Sequence, residues 1–148
     1  MFVEKLREDL TTAMRAGDQL RVGTLRMVLT AVREAEVAGK QQRTLSDAEA
    51  QKVVAKEAKK RRESAQVYTD AGRPELAERE TAEAAVLEEY LPQQLSPAEL
   101  QALVDEVLAT EGLTGMQQMG AAMKAVNAKV AGRADGGAVA AAVRSRLA

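Results

Sequence analysis

Apolar residues recur at helical spacing along nearly the whole chain, and the residues between them punctuate seven segments. Phe2, Leu6, Leu10, Ala13 and Met14 form one stripe over a first segment, Phe2 to Ala16, which Gly17 stops. Asp18 caps a second segment with Val22, Leu25, Leu29, Val32 and Ala35 or Glu36 inward, ending near Gly39; the short turn between the two predicts an antiparallel hairpin. Lys40 to Thr44 reads as a loop. Ser46-Asp47-Ala48-Glu49 is a capping box opening a long third helix that runs to Ala71 before Gly72, with a thin stripe of Ala50, Val53, Val54, Ala58, Ala65 and Tyr68. Pro74 suits the first turn of a fourth helix reaching Tyr90.

Two of the three prolines fall in Tyr90-Leu91-Pro92-Gln93-Gln94-Leu95-Ser96-Pro97, which reads as a junction between two parts. Ser96-Pro97-Ala98-Glu99 then repeats the capping box and opens a fifth helix with Leu100, Leu103, Val104, Val107 and Leu108 inward, ending at Gly112. A sixth helix over Gly115 to Val130 places Met116, Met119, Met123 and Val126 inward. A seventh follows Asp135 as N-cap with Val139, Val143 and Leu147 inward. No segment alternates like a strand. The expectation is an all-α protein of about seven helices: an N-terminal helical domain over 1–91 with a long third helix, and a C-terminal three-helix bundle over 96–148.

Composition narrows the chemistry. The chain has no His, no Cys and no Trp, so it cannot build a Ser-His-Asp or Cys-His nucleophile, a zinc finger, an iron–sulfur site or a c-type haem attachment. Phosphate-loop, dinucleotide-fold and nucleophile-elbow glycine motifs are missing. Of four serines, Ser46 and Ser96 serve as caps, and Ser64 and Ser145 have only Lys or Arg nearby. No catalytic residue, no metal ligand set and no cofactor is expected, and the acidic side chains Glu80, Glu83, Glu88 and Glu89 read as a solvated face. Aromatic content of 2% leaves almost no rings for stacking on unpaired bases, so a nucleic-acid partner would be read by backbone and shape. The first residues read as the start of a helix rather than a secretory leader. The longest apolar run, Ala138 to Val143, is far short of the roughly 20 residues that cross a bilayer; no membrane is expected, and a cytoplasmic location is.

The formal net charge of −1 conceals a division. Residues 1–74 hold 15 Lys and Arg against 11 Asp and Glu, residues 75–111 hold 1 against 10, and residues 112–148 hold 5 against 1. Within the first block Lys52, Lys56, Lys59, Lys60, Arg61 and Arg62 oppose only Glu57 and Glu63, a basic face that suits phosphates as well as it suits solvent. In the last block Lys124, Lys129, Arg133, Arg144 and Arg146 face a single acid, Asp135, which is committed to capping.

The order of several short motifs resembles the GatB/YqeY family over nearly the full chain: Tyr90-Leu91-Pro92-x-Gln94-Leu95, then Met119-Gly120-x-x-Met123, then Lys129-x-x-Gly132-Arg133-Ala134-Asp135-Gly136 followed by Val139, Val143 and Leu147. Arg26-Met27, Lys56-Glu57, Arg61-Arg62-x-Ser64 and Ala71-Gly72-Arg73 agree with it upstream. Asn127 and Ala128 stand where many members of the family carry Met and Pro. The resemblance implies an all-helical protein whose second part is similar to the tail of the B subunit of the tRNA-dependent amidotransferase, the part that reaches towards the tRNA body. It also implies the label of a carbon–nitrogen ligase with glutamine as amide donor, although this chain carries only the tail-like part.

From the residues themselves, Gly132 in a left-handed conformation would end the sixth helix and Asp135 would start the seventh, with Gly136 just inside it. That account leaves Arg133 over, projecting beside a helix N-terminus that favours an anion. The expected function is a noncatalytic tRNA-binding or adapter protein touching the tRNA body through Lys124, Lys129, Arg133 and Arg144, with Lys52, Lys56, Lys59 and Lys60 as a secondary basic face, working beside aminoacyl-tRNA or amidotransferase machinery. The alternatives are a protein-interaction module using the acidic 75–111 segment, and an accessory subunit of an amidotransferase.

Overall fold

The computed structural model describes residues 1–148. It is all-helical: α1 (Phe2–Ala16), α2 (Gln19–Val37), α3 (Asp47–Asp70), α4 (Pro74–Glu88), α5 (Pro97–Glu111), α6 (Met119–Val130) and α7 (Gly136–Leu147), with one turn of 3₁₀ helix, Met116–Gln118, ahead of α6. The chain divides into two compact units, Met1–Leu91 and Pro92–Ala148.

In the first unit α1 packs on α2, α3 runs against α4, and α2 touches both of them. Leu6, Leu25, Val28, Val54, Ala58 and Leu87 form the main core, with Val32, Leu45 and Ala50 as a second cluster. Val28 is buried, and Leu29, expected inward, is half-buried. The predicted starts and stops of α1 and α3 hold: Gly17 is left-handed at φ 71°, and the Ser46 hydroxyl accepts from the Glu49 N–H at 3.2 Å. At 24 residues α3 is roughly 36 Å long, and beyond Ala58 none of its residues is fully buried.

Two ends differ from the sequence reading. The second helix stops at Val37 rather than near Gly39. The fourth stops at Glu88, because a residue followed by proline resists the helical conformation and Leu91 precedes Pro92. Released from the helix, Tyr90 sets its ring edge-on to Phe2, centroids 6.3 Å apart, and donates its hydroxyl to Asp9 at 2.5 Å.

In the second unit α5, α6 and α7 each touch the other two. Leu100, Val104, Val107, Leu108, Ala122, Val126, Val130, Val139, Val143 and Leu147 make its core. Ser96 and Glu99 form the second capping box. Met116 is exposed instead of inward, since the 3₁₀ turn carries it off the stripe that continues from Met119; Ala122 and Val130 occupy the buried positions beside Val126. Pro92 to Leu95 belongs to this unit: the Leu95 N–H donates to the Arg133 carbonyl at 2.7 Å, and Gln94 Nε2 reaches the Pro92 carbonyl at 2.9 Å and the Gly132 carbonyl at 3.4 Å.

Candidate nucleic-acid interface

The turn between α6 and α7 is built from backbone requirements first. Helix α6 ends at Val130, and the left-handed residue that closes it is Ala131 (φ 50°), one place earlier than the glycine expected there; Gly132 follows at φ 80°. Asp135 then accepts from the Ala138 N–H at 3.3 Å and opens α7, whose first residue is Gly136.

Arg133 does not project freely beside α7. Its Nε donates to the Val130 carbonyl at 3.0 Å and its Nη2 to the Lys129 carbonyl at 2.8 Å, so the half-buried guanidinium closes the C-terminal end of α6. The reason is physical: the last carbonyls of a helix lack intrahelical partners, its C-terminal end is negative, and the two left-handed residues fold the chain back far enough for a cation to reach them. The nearby Arg133 charge is a minor contributor, after the Ser96 hydrogen bonds, to holding the Glu99 carboxyl below its usual range. Through the two bonds from Gln94 and Leu95, the Tyr90–Leu95 motif and the Gly132–Gly136 motif meet in one piece of structure.

Three predicted cations of this unit remain exposed and enter no ion pair: Lys124 and Lys129 on α6 and Arg144 on α7. Lys129 sits beside Arg133 in the last turn of α6. Lys124 lies about 7.5 Å further along the axis and roughly 140° around it, so the two do not share one face. Arg144 is in the last turn of α7. Arg146 is engaged, with Nε at 2.7 Å and Nη2 at 3.3 Å from the Asp105 carboxylate.

In the first unit the basic run of α3 is divided. Lys60 binds Glu57 at 3.2 Å, Lys59 stands 4.0 Å from Glu63, and Arg62 binds Glu88 at 2.7 Å. Arg61 lies 3.6–3.8 Å from Glu57, Glu80 and Glu83, all half-buried or buried. The acids of α4 read as a solvated face in the sequence; the structure turns Glu80, Glu83 and Glu88 towards α3. Their pairing engages Arg61 and Arg62 within the chain. Arg61 Nε and Glu80 Oε2 are buried without a hydrogen-bond partner. Only Lys52 and Lys56 of this run are exposed and outside every ion pair.

A polar group that the sequence does not signal lies near the end of the first unit. Arg21 grips Glu89 through both guanidinium nitrogens (2.7 and 3.1 Å), and Lys5 binds Asp9 at 2.7 Å. Burial works against the Asp9 carboxylate, but hydrogen bonds from Lys5 and Tyr90 outweigh it and hold its pKa below the usual range. Burial, then the Asp9 hydrogen bond, push the Tyr90 hydroxyl well above its ordinary value. A shallow cleft of about 300 Å³ beside them is lined by Asp9, Thr12, Ala13, Ala16 and Arg21. Only Tyr90 carried any sequence signal, through its motif. No three His, Cys, Asp or Glu side chains are arranged to hold a metal ion, and no helix is long and apolar enough to cross a membrane.

No curated protein matches the chain. The family described as Yqey-like protein matches residues 3–147, which spans all seven helices, both capping boxes and the turn that Arg133 closes. The chain belongs to the YqeY-like family.

Proposed function

We propose that the protein is a noncatalytic adapter that touches the sugar–phosphate backbone of tRNA with its C-terminal unit. The observation that carries this reading is the set of exposed cations without a carboxylate partner, Lys124, Lys129 and Arg144, on two helices whose only acid, Asp135, is a cap. Unpaired cations on a fold that does not need them suit a polyanion. The resemblance of the C-terminal sequence motifs to the tail of the tRNA-dependent amidotransferase B subunit supports tRNA as that polyanion and an accessory role beside aminoacyl-tRNA or amidotransferase chemistry. Arg133 enters as the residue that fixes the end of α6, and with it Lys129.

The competing protein-interaction reading through the 75–111 segment is weakened by pairing inside the chain. Glu80 and Glu83 face Arg61, Glu83 also meets Arg79, Glu88 binds Arg62, Glu75 binds Arg73, and Glu89 binds Arg21. Of the acids of α4 only Glu78 stands outside these pairs, and on α5 Glu106 and Glu111 do.

The test is binding of purified full-length chain to tRNA at two salt concentrations. Lys124→Ala, Lys129→Ala and Arg144→Ala are each expected to cost about 1 kcal/mol of binding and to lower the salt slope by roughly one unit, because each removes one phosphate contact and the counterion it releases. A wild-type chain that binds no tRNA at 50 mM salt, or three variants that bind like wild type, would remove the reading.

A further inference from the structure

The packing of α3 against α4 sorts the cations of α3 into two kinds. Lys59, Lys60, Arg61 and Arg62 meet carboxylates of α3 or α4. Lys52 and Lys56 do not, and the helix itself offers them nothing: the residues three and four places from Lys56 are Val53, Lys52, Lys59 and Lys60. The one acid at such spacing from Lys52 is Glu49, whose carboxylate is taken by Arg43 at 3.0 and 2.5 Å and by the Ser46 N–H at 3.2 Å. Residues 52 and 56 fall within about 40° of one another around the axis, so the two lysines form an exposed row in which they repel. A fold gains nothing from such a row in isolation. An external polyanion removes the repulsion and gains the counterions.

We infer that this lysine row, on α3 of the N-terminal unit, is a second contact for a phosphate backbone. The inference rests on the tRNA reading and extends it to a second site. The occupant is a nucleic-acid backbone and not an acidic protein surface, because a row of like charges with about 6 Å between successive turns matches a regularly charged strand. It reads no bases: Phe2, Tyr68 and Tyr90, the only aromatic residues, are all half-buried, so no open ring is offered for stacking.

The test measures unfractionated tRNA binding to the full chain by fluorescence anisotropy across salt, for wild type, Lys52→Glu/Lys56→Glu, Lys124→Glu/Lys129→Glu and the control Arg15→Glu/Lys40→Glu, which makes the same change in net charge at exposed positions outside the row. The α3 pair is expected to weaken binding about tenfold or more and to lower the salt slope by about 1.5 units, with an unchanged helical circular dichroism signal, while the control pair changes affinity less than threefold. Equal weakening by the control pair would reduce the row to general electrostatics and overturn the inference. Wild-type affinity in the α3 pair, with loss in the Lys124/Lys129 pair, would overturn it and leave the C-terminal reading standing. Loss in the α3 pair alone would uphold the row and overturn the C-terminal reading. No binding by wild type at 50 mM salt would overturn both.

Discussion

In the N-terminal unit a basic helix, α3, lies against an acidic one, α4, and Arg61 and Arg62 are drawn onto Glu80, Glu83 and Glu88. In the C-terminal unit α5 is also acidic and packs on both α6 and α7, yet one pair alone, Arg146 with Asp105, crosses to it, and Lys124, Lys129 and Arg144 stay in solvent. Both stretches are basic in sequence, and only the packing separates them. A run of charge becomes structural when its side chains reach carboxylates on the neighbouring helix, and stays available to a partner when they point away from them.

The two units also differ in what holds them, and a pair of core substitutions separates them most strongly. Leu25 is fully buried in the first core and Val126 in the second. Leu25→Ala is expected to cost about 3 kcal/mol, and Val126→Ala about 2 kcal/mol because fewer atoms are removed. Hydrogen exchange in low denaturant locates the loss: Leu25→Ala is expected to expose amides of residues 1–91 ahead of those of 92–148, and Val126→Ala the reverse. Protection lost together throughout both variants would break the comparison.

The charge contrast is tested next. Arg61→Ala removes the cation shared by Glu57, Glu80 and Glu83, whose side chains are 9–17% exposed, and is expected to cost about 2 kcal/mol in a urea titration. The figure sits below that of a tightly bonded buried pair because the contacts are 3.6–3.8 Å and Lys60 and Arg79 stay on the same carboxylates. Adding Glu80→Gln, which neutralises a carboxylate with a buried, unbonded oxygen, is expected to recover part of the loss. Lys124→Ala in the other unit is expected to move the midpoint by less than about 0.5 kcal/mol. Equal effects would mean that Arg61 is as dispensable to the fold as Lys124.

Smaller effects belong to the turn at 131–135. Asp135→Ala removes the cap of α7 and Arg133→Ala removes the closure of α6, each worth about 1 kcal/mol by thermal melting. For Arg133 this reverses the expectation from the sequence, in which it was a phosphate ligand with little part in folding. A change in tRNA affinity without any change in Tm would restore the original assignment.

The fold class was legible because helix starts and stops are local devices. Ser46 with Glu49, Ser96 with Glu99, Asp18, Asp135, and glycines at 17 and 112 all act within three or four residues, and all appear in the structure as caps or left-handed stops. The family was legible for a related reason, since the order of short motifs is a property of the sequence. What stayed hidden depends on distance along the chain. Arg62 and Glu88 are 26 residues apart, Arg21 and Glu89 are 68 apart, and Tyr90 and Asp9 are 81 apart. No periodicity announces such pairs. Arg133 was misread for a subtler reason: its partners are only three and four residues away, but reaching them required Ala131 as well as Gly132 to be left-handed, and alanine gives no sign of that.

The smallest expected effect separates the two capping boxes, which have nearly the same sequence, Ser-Asp-Ala-Glu and Ser-Pro-Ala-Glu. In both, the Glu accepts from the N–H of its serine at 3.2 Å. Glu49 also accepts two bonds from Arg43, which first and foremost hold its pKa down at about 2; Glu99 has no such partner, and its pKa is lowered by Ser96. A carboxyl whose folded pKa lies below its unfolded value stabilises the fold above the unfolded value and loses that contribution as pH falls towards the folded one. For Glu49 the window therefore runs from the ordinary carboxylate value of 4.5 down to about 2. Comparing Tm for wild type and Glu49→Gln from pH 6 to pH 2, the gap between them is expected to be largest at pH 6 and to close across that window. The same comparison for Glu99→Gln is expected to show a smaller gap that also narrows as pH falls below 4.5. Glu49 is half-buried and Glu99 exposed, so the effects are modest and weaken with added salt. Equal gaps with equal closing points would show that Arg43 adds nothing to the first cap.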